Sequence, residues 1–143
     1  MNAIVRRLRE RRRCGERGAI SAFVVGITVT LLAVAGLVVD GGNALNARMQ
    51  LADEVEQAAR AGAQAIDQGA LRNGGRVVIN ESQARARATS FLVQRGYTVT
   101  GFAIDGTSVT VSARDTVAAQ LLTLVGVGDF TVNATATAEA QSQ

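Results

Sequence analysis

Residues Ala19 to Val39, AISAFVVGITVTLLAVAGLVV, form a run of 21 residues without a charge. No other feature constrains the fold of this chain so strongly. At about 1.5 Å per residue a helix of that length spans roughly 31 Å, which matches the hydrocarbon core of a bilayer. The run starts directly after an arginine-rich leader and stops at Asp40. The pattern predicts one membrane-spanning helix over 19–39. Residues 1–18 hold seven arginines against two glutamates, a net +5, while residues 40–143 hold eight arginines against ten acids, a net −2. A cationic flank beside an apolar span keeps that end in the cytoplasm, so residues 40–143 are expected outside the membrane. The same arginines could neutralise nucleic-acid phosphates, but beside a span topology is the simpler use, and no nucleic-acid partner is expected. The leader is too charged to pack and is expected to be unstructured or to lie on the anionic inner leaflet.

A second reading competes with the permanent anchor. Ala33-Val34-Ala35 fits the small-x-small rule for a secretory cleavage site, and cleavage there would release a secreted or surface module starting at Gly36. The apolar run continues through Leu37, Val38 and Val39, which favours retention. Within the span, Ala22, Gly26 and Thr30 lie four apart and form a stripe of small residues. Such a stripe lets helices approach closely in lipid, or it reflects the ordinary composition of membrane helices. Thr28 and Thr30 can bond back to helix carbonyls and imply no transport path. Arg17-Gly18 abuts the span, as a flexible junction or as a processing site between Gly18 and Ala19.

The 143 residues allow one small domain besides the span. The chain lacks His, Lys, Trp and Pro. Without His there is no Ser-His-Asp couple and no imidazole metal site, and without Lys no Schiff base or phosphate-loop lysine. The single cysteine, Cys14, precedes the span, so it reads as a free cytosolic thiol and the outer region has no internal disulfide. No catalytic, cofactor-binding or metal-binding residues are predicted.

After Asp40-Gly41-Gly42, the positions Leu45, Met49, Ala52, Val55, Ala59, Ala63 and Ile66 recur at helical spacing. They predict an amphipathic, membrane-proximal stalk helix over 40–70, with the two glycines as a candidate kink. Residues 71–76, LRNGGR, read as a break. Asn80 with Gln83 predicts a capped helix running to Arg95, with Ala84, Ala88, Phe91 and Leu92 inward and Gly96 at its C-terminus. From Tyr97 the period becomes two. Val99, Phe102, Ile104, Val109 and Val111 predict a hairpin turning at Asp105-Gly106. Asp115 or Thr116 would cap a short helix over 117–125, with Leu121, Leu122 and Val125 inward, and residues 130–138 predict a further strand. The expected fold is α+β: one N-terminal transmembrane helix continuing into the stalk, then a head over 71–143 with helix, β-hairpin, short helix and strand. Gly126-Val127-Gly128 leads into a strand and reads as a turn, not a dinucleotide fingerprint. The triplets starting at Asn80 and Asn133 match the glycosylation pattern by composition alone. Asp105, Asp115 and Asp129 read as turn or cap residues.

Arg17-Gly18, the span ending in Val39-Asp40-Gly41-Gly42, the segment Arg48-Met49-Gln50-Leu51-Ala52-Asp53 and the Ala-Gly-Ala of 61–63 resemble the N-terminal region of TadG-like proteins of the tight-adherence, Flp-type pilus system. TadE-like proteins share the leader and anchor plan, and the tail TVNATATAEA also looks like theirs. The resemblance covers about residues 17–66. It implies a pseudopilin-like component of bacterial pilus assembly or secretion. Its partners would be the lipid bilayer and other pilus or secretion-system membrane proteins or pilins, with homo- or hetero-oligomers formed through the anchor and stalk. In TadE-like members a prepilin peptidase cleaves after a glycine, with glutamate at the fifth position beyond. Gly18 would be that glycine, but the fifth position here is Phe23, which favours the TadG-like plan with its leader retained.

Overall fold

The computed structural model describes the backbone of residues 2–74 and 77–140, and side chains from residue 18 onward except 71, 73, 74 and 125. One helix, α1, runs over Asn2–Ala63, 62 residues, or about 93 Å. It corrects the expectation of an unstructured leader. Arg, Leu and Glu are good helix formers, and the leader has no glycine before Gly15 to interrupt them. The side chains of residues 1–17, including Cys14, lie outside the described residues. The helix continues without interruption through Gly41 and Gly42.

α1 ends at Ala63, earlier than the expected limit of the stalk. An isolated antiparallel bridge between Ile66 and Ile79 then pinches the chain. The Asn80 N–H donates to the Ala65 carbonyl at 2.8 Å, and the Asp67 N–H to that of Val78 at 2.7 Å. The loop between holds α2, Gln68–Gly74, where a break was expected. The sequence signal that starts it is Asp67, whose Oδ1 accepts from the N–H groups of Gly69 and Ala70 at 2.8 and 3.2 Å. Gly75 and Arg76, the rest of the expected break, lie outside the described residues.

α3 spans Glu81–Val93, and the Asn80 side chain accepts from the Gln83 N–H at 3.1 Å, as the capping pattern predicts. Ala84, Ala88 and Leu92 are its buried face. Gly96 follows at φ +88°, the left-handed conformation that ends the helical turn.

Three antiparallel strands complete the chain in the order β1-β2-β3: β1 Thr98–Asp105, β2 Ser108–Val117 and β3 Phe130–Glu139. Asp105 pairs with Ser108, and Gly106 turns the hairpin at φ +60°. A register shift between Val99 and Gly101 adds one residue to β1, so odd-numbered Val99 and even-numbered Phe102 and Ile104 share a face. The short helix over 117–125 is corrected. β2 continues through Asp115, Thr116 and Val117, which pair with Val132, Thr131 and Phe130. Only Leu122–Val125 winds, as a 3-10 turn closed by Gly126 at φ +86°. The β-branched pair Thr116-Val117 extends the strand in preference to capping a helix.

α1 and α3 pack on one face of the sheet. The core joins Leu51, Val55, Ala58, Ala59 and Ala63 of α1, Ala84, Ala88 and Leu92 of α3, and Val109, Val111, Ala113 and Val132 of the sheet. A Cβ on Gly62 would lie 3.1 Å from Val109 Cγ1 and 3.4 Å from the Ala84 carbonyl, so a larger residue there requires Val109 to give way by a few tenths of an ångström. The other sheet face is polar, with hydroxyl pairs Thr110–Thr137 and Ser112–Thr135, each at 2.8 Å.

Candidate functional site

The long helix divides into two surfaces. Over the predicted span nearly every side chain is exposed, including Ile20, Phe23, Val25, Leu31, Leu32 and Val38. An apolar helix that a soluble core would bury is here left uncovered by its own chain, so the segment is long and apolar enough to cross a membrane. From Leu51 onward the same helix is the centre of the head.

The predicted stalk stripe splits between these surfaces. Val55, Ala59 and Ala63 are buried, whereas Leu45 and Met49 are more than 60% exposed and Ala52 is exposed too. The buried face passes through small residues, Ala47 and Ala58, beside Leu51 and Val55. Large apolar residues on the opposite face, with Val38, leave a second stripe exposed among the described residues.

The junction of span and head is held by a residue whose role the sequence did not disclose. Asp40, read only as the end of the apolar run, is 2% exposed. Its Oδ1 accepts from the Gln120 N–H at 3.1 Å, and its Oδ2 from the N–H groups of Leu121 and Leu122 at 2.9 and 2.7 Å. It caps the 3-10 turn from 80 residues away in sequence. One turn earlier, a Cβ on Gly36 would meet Leu121 Cβ at 3.2 Å and Leu122 Cδ2 at 3.4 Å. Gly36 and Asp40 thus form one seat, four apart on the helix: the first admits the two leucines and the second binds their backbone. The N–H bond from Leu122, joined by those from Gln120 and Leu121, holds the Asp40 carboxyl below its usual 3.8, against the opposing effect of burial. Leu122 is buried as predicted; Leu121, which precedes the 3-10 turn, is 42% exposed. The Val125 side chain lies outside the described residues.

The remaining sequence candidates sit in open surroundings. Gly18 and Gly26 have space where a Cβ would stand, and Ala19 and Ala22 are exposed. Thr30 Oγ1 donates to the Gly26 carbonyl at 2.9 Å and Thr28 to that of Val24 at 2.8 Å. Asp105 ends β1, Asp115 lies within β2, and Asp129 precedes β3. Midway along the head, Arg95 pairs with Glu54 at 2.9 Å and lies over the Phe91 ring at 3.7 Å. This is a brace between α3 and α1. Among the described residues no group of three or more His, Cys, Asp or Glu could hold a metal ion.

Residues 18–65 match the Tad family model, described as "Putative Flp pilus-assembly TadE/G-like". The matched stretch begins at Gly18, contains the whole apolar span and the Gly36–Asp40 seat, and ends just beyond α1. Comparison with curated proteins and with solved structures gives no match.

Proposed function

We propose that this chain is a membrane-anchored, pseudopilin-like component of a bacterial Flp/Tad-type pilus assembly or secretion system, acting by helix packing and protein–protein contact without catalysis. The observation that carries the reading is the family match over 18–65, coincident with a helix whose N-terminal apolar part is uncovered and whose C-terminal part is sunk in a head. The arginine leader would keep residues 1–18 in the cytoplasm, with the span at 19–39 and the head outside. Leu45 and Met49, about 120° round the helix from Ala22, Gly26 and Thr30, would be a separate packing face outside the bilayer. The stripe of Ala22, Gly26 and Thr30 would be the packing face within it. Gly26→Leu then weakens co-purification with a membrane partner; unchanged co-purification makes the stripe compositional. Gly18-Ala19 would be the processing point if a prepilin peptidase acts despite Phe23.

A specific observation favours a second reading. Gly36, immediately after the Ala33-Val34-Ala35 cleavage pattern, is the first buried residue of the apolar run, so cleavage there would release a head that keeps both residues of its seat. Intact mass of the protein from its native cells decides. A start at residue 1 or 2 means a permanent TadG-like anchor, a start at Ala19 means a processed pseudopilin, and a start at Gly36 means a secreted module and overturns the proposal.

A further inference from the structure

The 12 residues from Val117 to Gly128, VAAQLLTLVGVG, carry no charge, and three of their large apolar side chains are poorly covered although Ala119 and Leu122 are buried. Leu124 is 84% exposed, Leu121 42% and Val127 41%. Beyond α1, the large apolar side chains left exposed among the described residues are Val78, Val93 and these three, which fall within seven residues of sequence. Their position along the helix is fixed by the seat. Leu121 and Leu122 lie against Gly36, three residues inside the apolar run, or about 4.5 Å below its outer end. Leu121 and Leu122 therefore stand level with the last turn of the apolar run, and the N–H groups of Leu124 and Val127 bond back to their carbonyls at 3.2 and 3.0 Å.

Backbone polar groups at that depth need partners within the protein, because lipid offers none. The Asp40 carboxylate supplies them to the N–H groups of Gln120, Leu121 and Leu122. The carbonyls of Leu122 and Thr123 accept from the N–H groups of Val127 and Gly126 at 3.0 and 3.1 Å. We propose that residues 121–127 are a second membrane contact, dipping Leu121, Leu124 and Val127 into the outer leaflet beside the span, so that helix and head together meet the bilayer at two points and their tilt and rotation in it are limited. The inference rests on the anchored reading above and commits to the lipid surface as the occupant, because the cluster is continuous with the span at the same depth.

The test uses the full chain with Cys14→Ser in nanodiscs of phosphatidylethanolamine and phosphatidylglycerol, whose two faces are both open to solutes. Single cysteines replace Leu124, Leu31 in the span and Thr107 at the hairpin tip, and each carries an environment-sensitive dye. The Thr107 tip lies at the end of the sheet near Gly62, about 39 Å along the helix from Gly36. The expected result is a blue-shifted Leu124 dye, quenched by nitroxide lipids and protected from aqueous iodide, with the Leu31 dye behaving likewise and the Thr107 dye open to iodide. A Leu124 dye open to iodide while Leu31 stays in lipid overturns the proposal and leaves the anchor intact. Protection of Leu124 from both quenchers overturns it in favour of a protein cover, including a second copy. If the Leu31 dye is itself open to iodide, the anchored reading fails and the second contact fails with it.

Discussion

At the scale of single residues, Asp40 and Gly62 do most to join distant parts of the chain. Asp40 has its pKa lowered on folding, so the folded chain binds fewer protons than the unfolded one near the carboxyl's titration. Its contribution is then present above about 3.8 and is lost as pH falls through the lower folded value. The Leu122 amide resonance followed through acid titration should move with a midpoint below 3.8; a midpoint at or above it means the three N–H bonds do not hold in solution. Asp40→Asn should speed hydrogen exchange at Gln120, Leu121 and Leu122 at neutral pH, because one carboxylate oxygen becomes an NH2 facing N–H donors. Gly62 is limited by space. Gly62→Val would drive a branched side chain into Val109 and the Ala84 carbonyl, and should lower stability by about 1–3 kcal/mol in denaturant titration. Gly62 stood in the sequence as part of an Ala-Gly-Ala pattern and Asp40 as the end of a run. Neither disclosed its partner, since contacts between residues 40 and 122 or 62 and 109 leave no local periodicity.

At the scale of elements, what was legible is what has a period or a cap. The Asn80 cap, the turn at Gly106 and the two-residue alternation of β2 and β3 are local signals, and each lies where the sequence puts it. The misread elements depend on tertiary choice. The 117–125 stretch has residues that suit a helix, but antiparallel pairing with Phe130–Val132 extends the strand through its first residue. On α1 the eye follows Leu45 and Met49, while the head takes the alternative face, where Ala47 and Ala58 allow closer approach. The β1 bulge was visible only as the odd-to-even jump from Val99 to Phe102. The two faces of α1 make opposite predictions. Leu51→Ala, at a fully buried position, should cost about 2–5 kcal/mol. Leu45→Ser, at an exposed one, should change stability by no more than about 0.5 kcal/mol yet reduce co-purification with membrane partners. Equal association by wild type and Leu45→Ser would remove the outer stripe from the packing surface.

At the scale of the whole molecule, the apolar run and the head overlap instead of meeting end to end. A division at the end of the apolar run would assign Gly36 to the membrane and Asp40 to the head, but the two form one seat for the turn at 121–122. The folding unit of the head therefore starts inside the apolar run. Two soluble fragments test this directly, one covering 36–143 and the other 43–143. Both keep Leu51, Val55 and the rest of the buried α1 face, so both should show the sheet and α3 by circular dichroism. Only the longer fragment keeps the carboxylate and the glycine that receive the turn. Slow exchange at Gln120, Leu121 and Leu122 should be present in 36–143 and absent in 43–143, while the β2–β3 ladder stays protected in each. Equal protection of the turn in the two fragments would mean that the loop after β2 holds its shape unaided, and that span and head are separable. Loss of protection only in the shorter one would mean that orientation of the head is built into the last turn of the apolar run. Any partner that grips the span would then also read the position of the sheet.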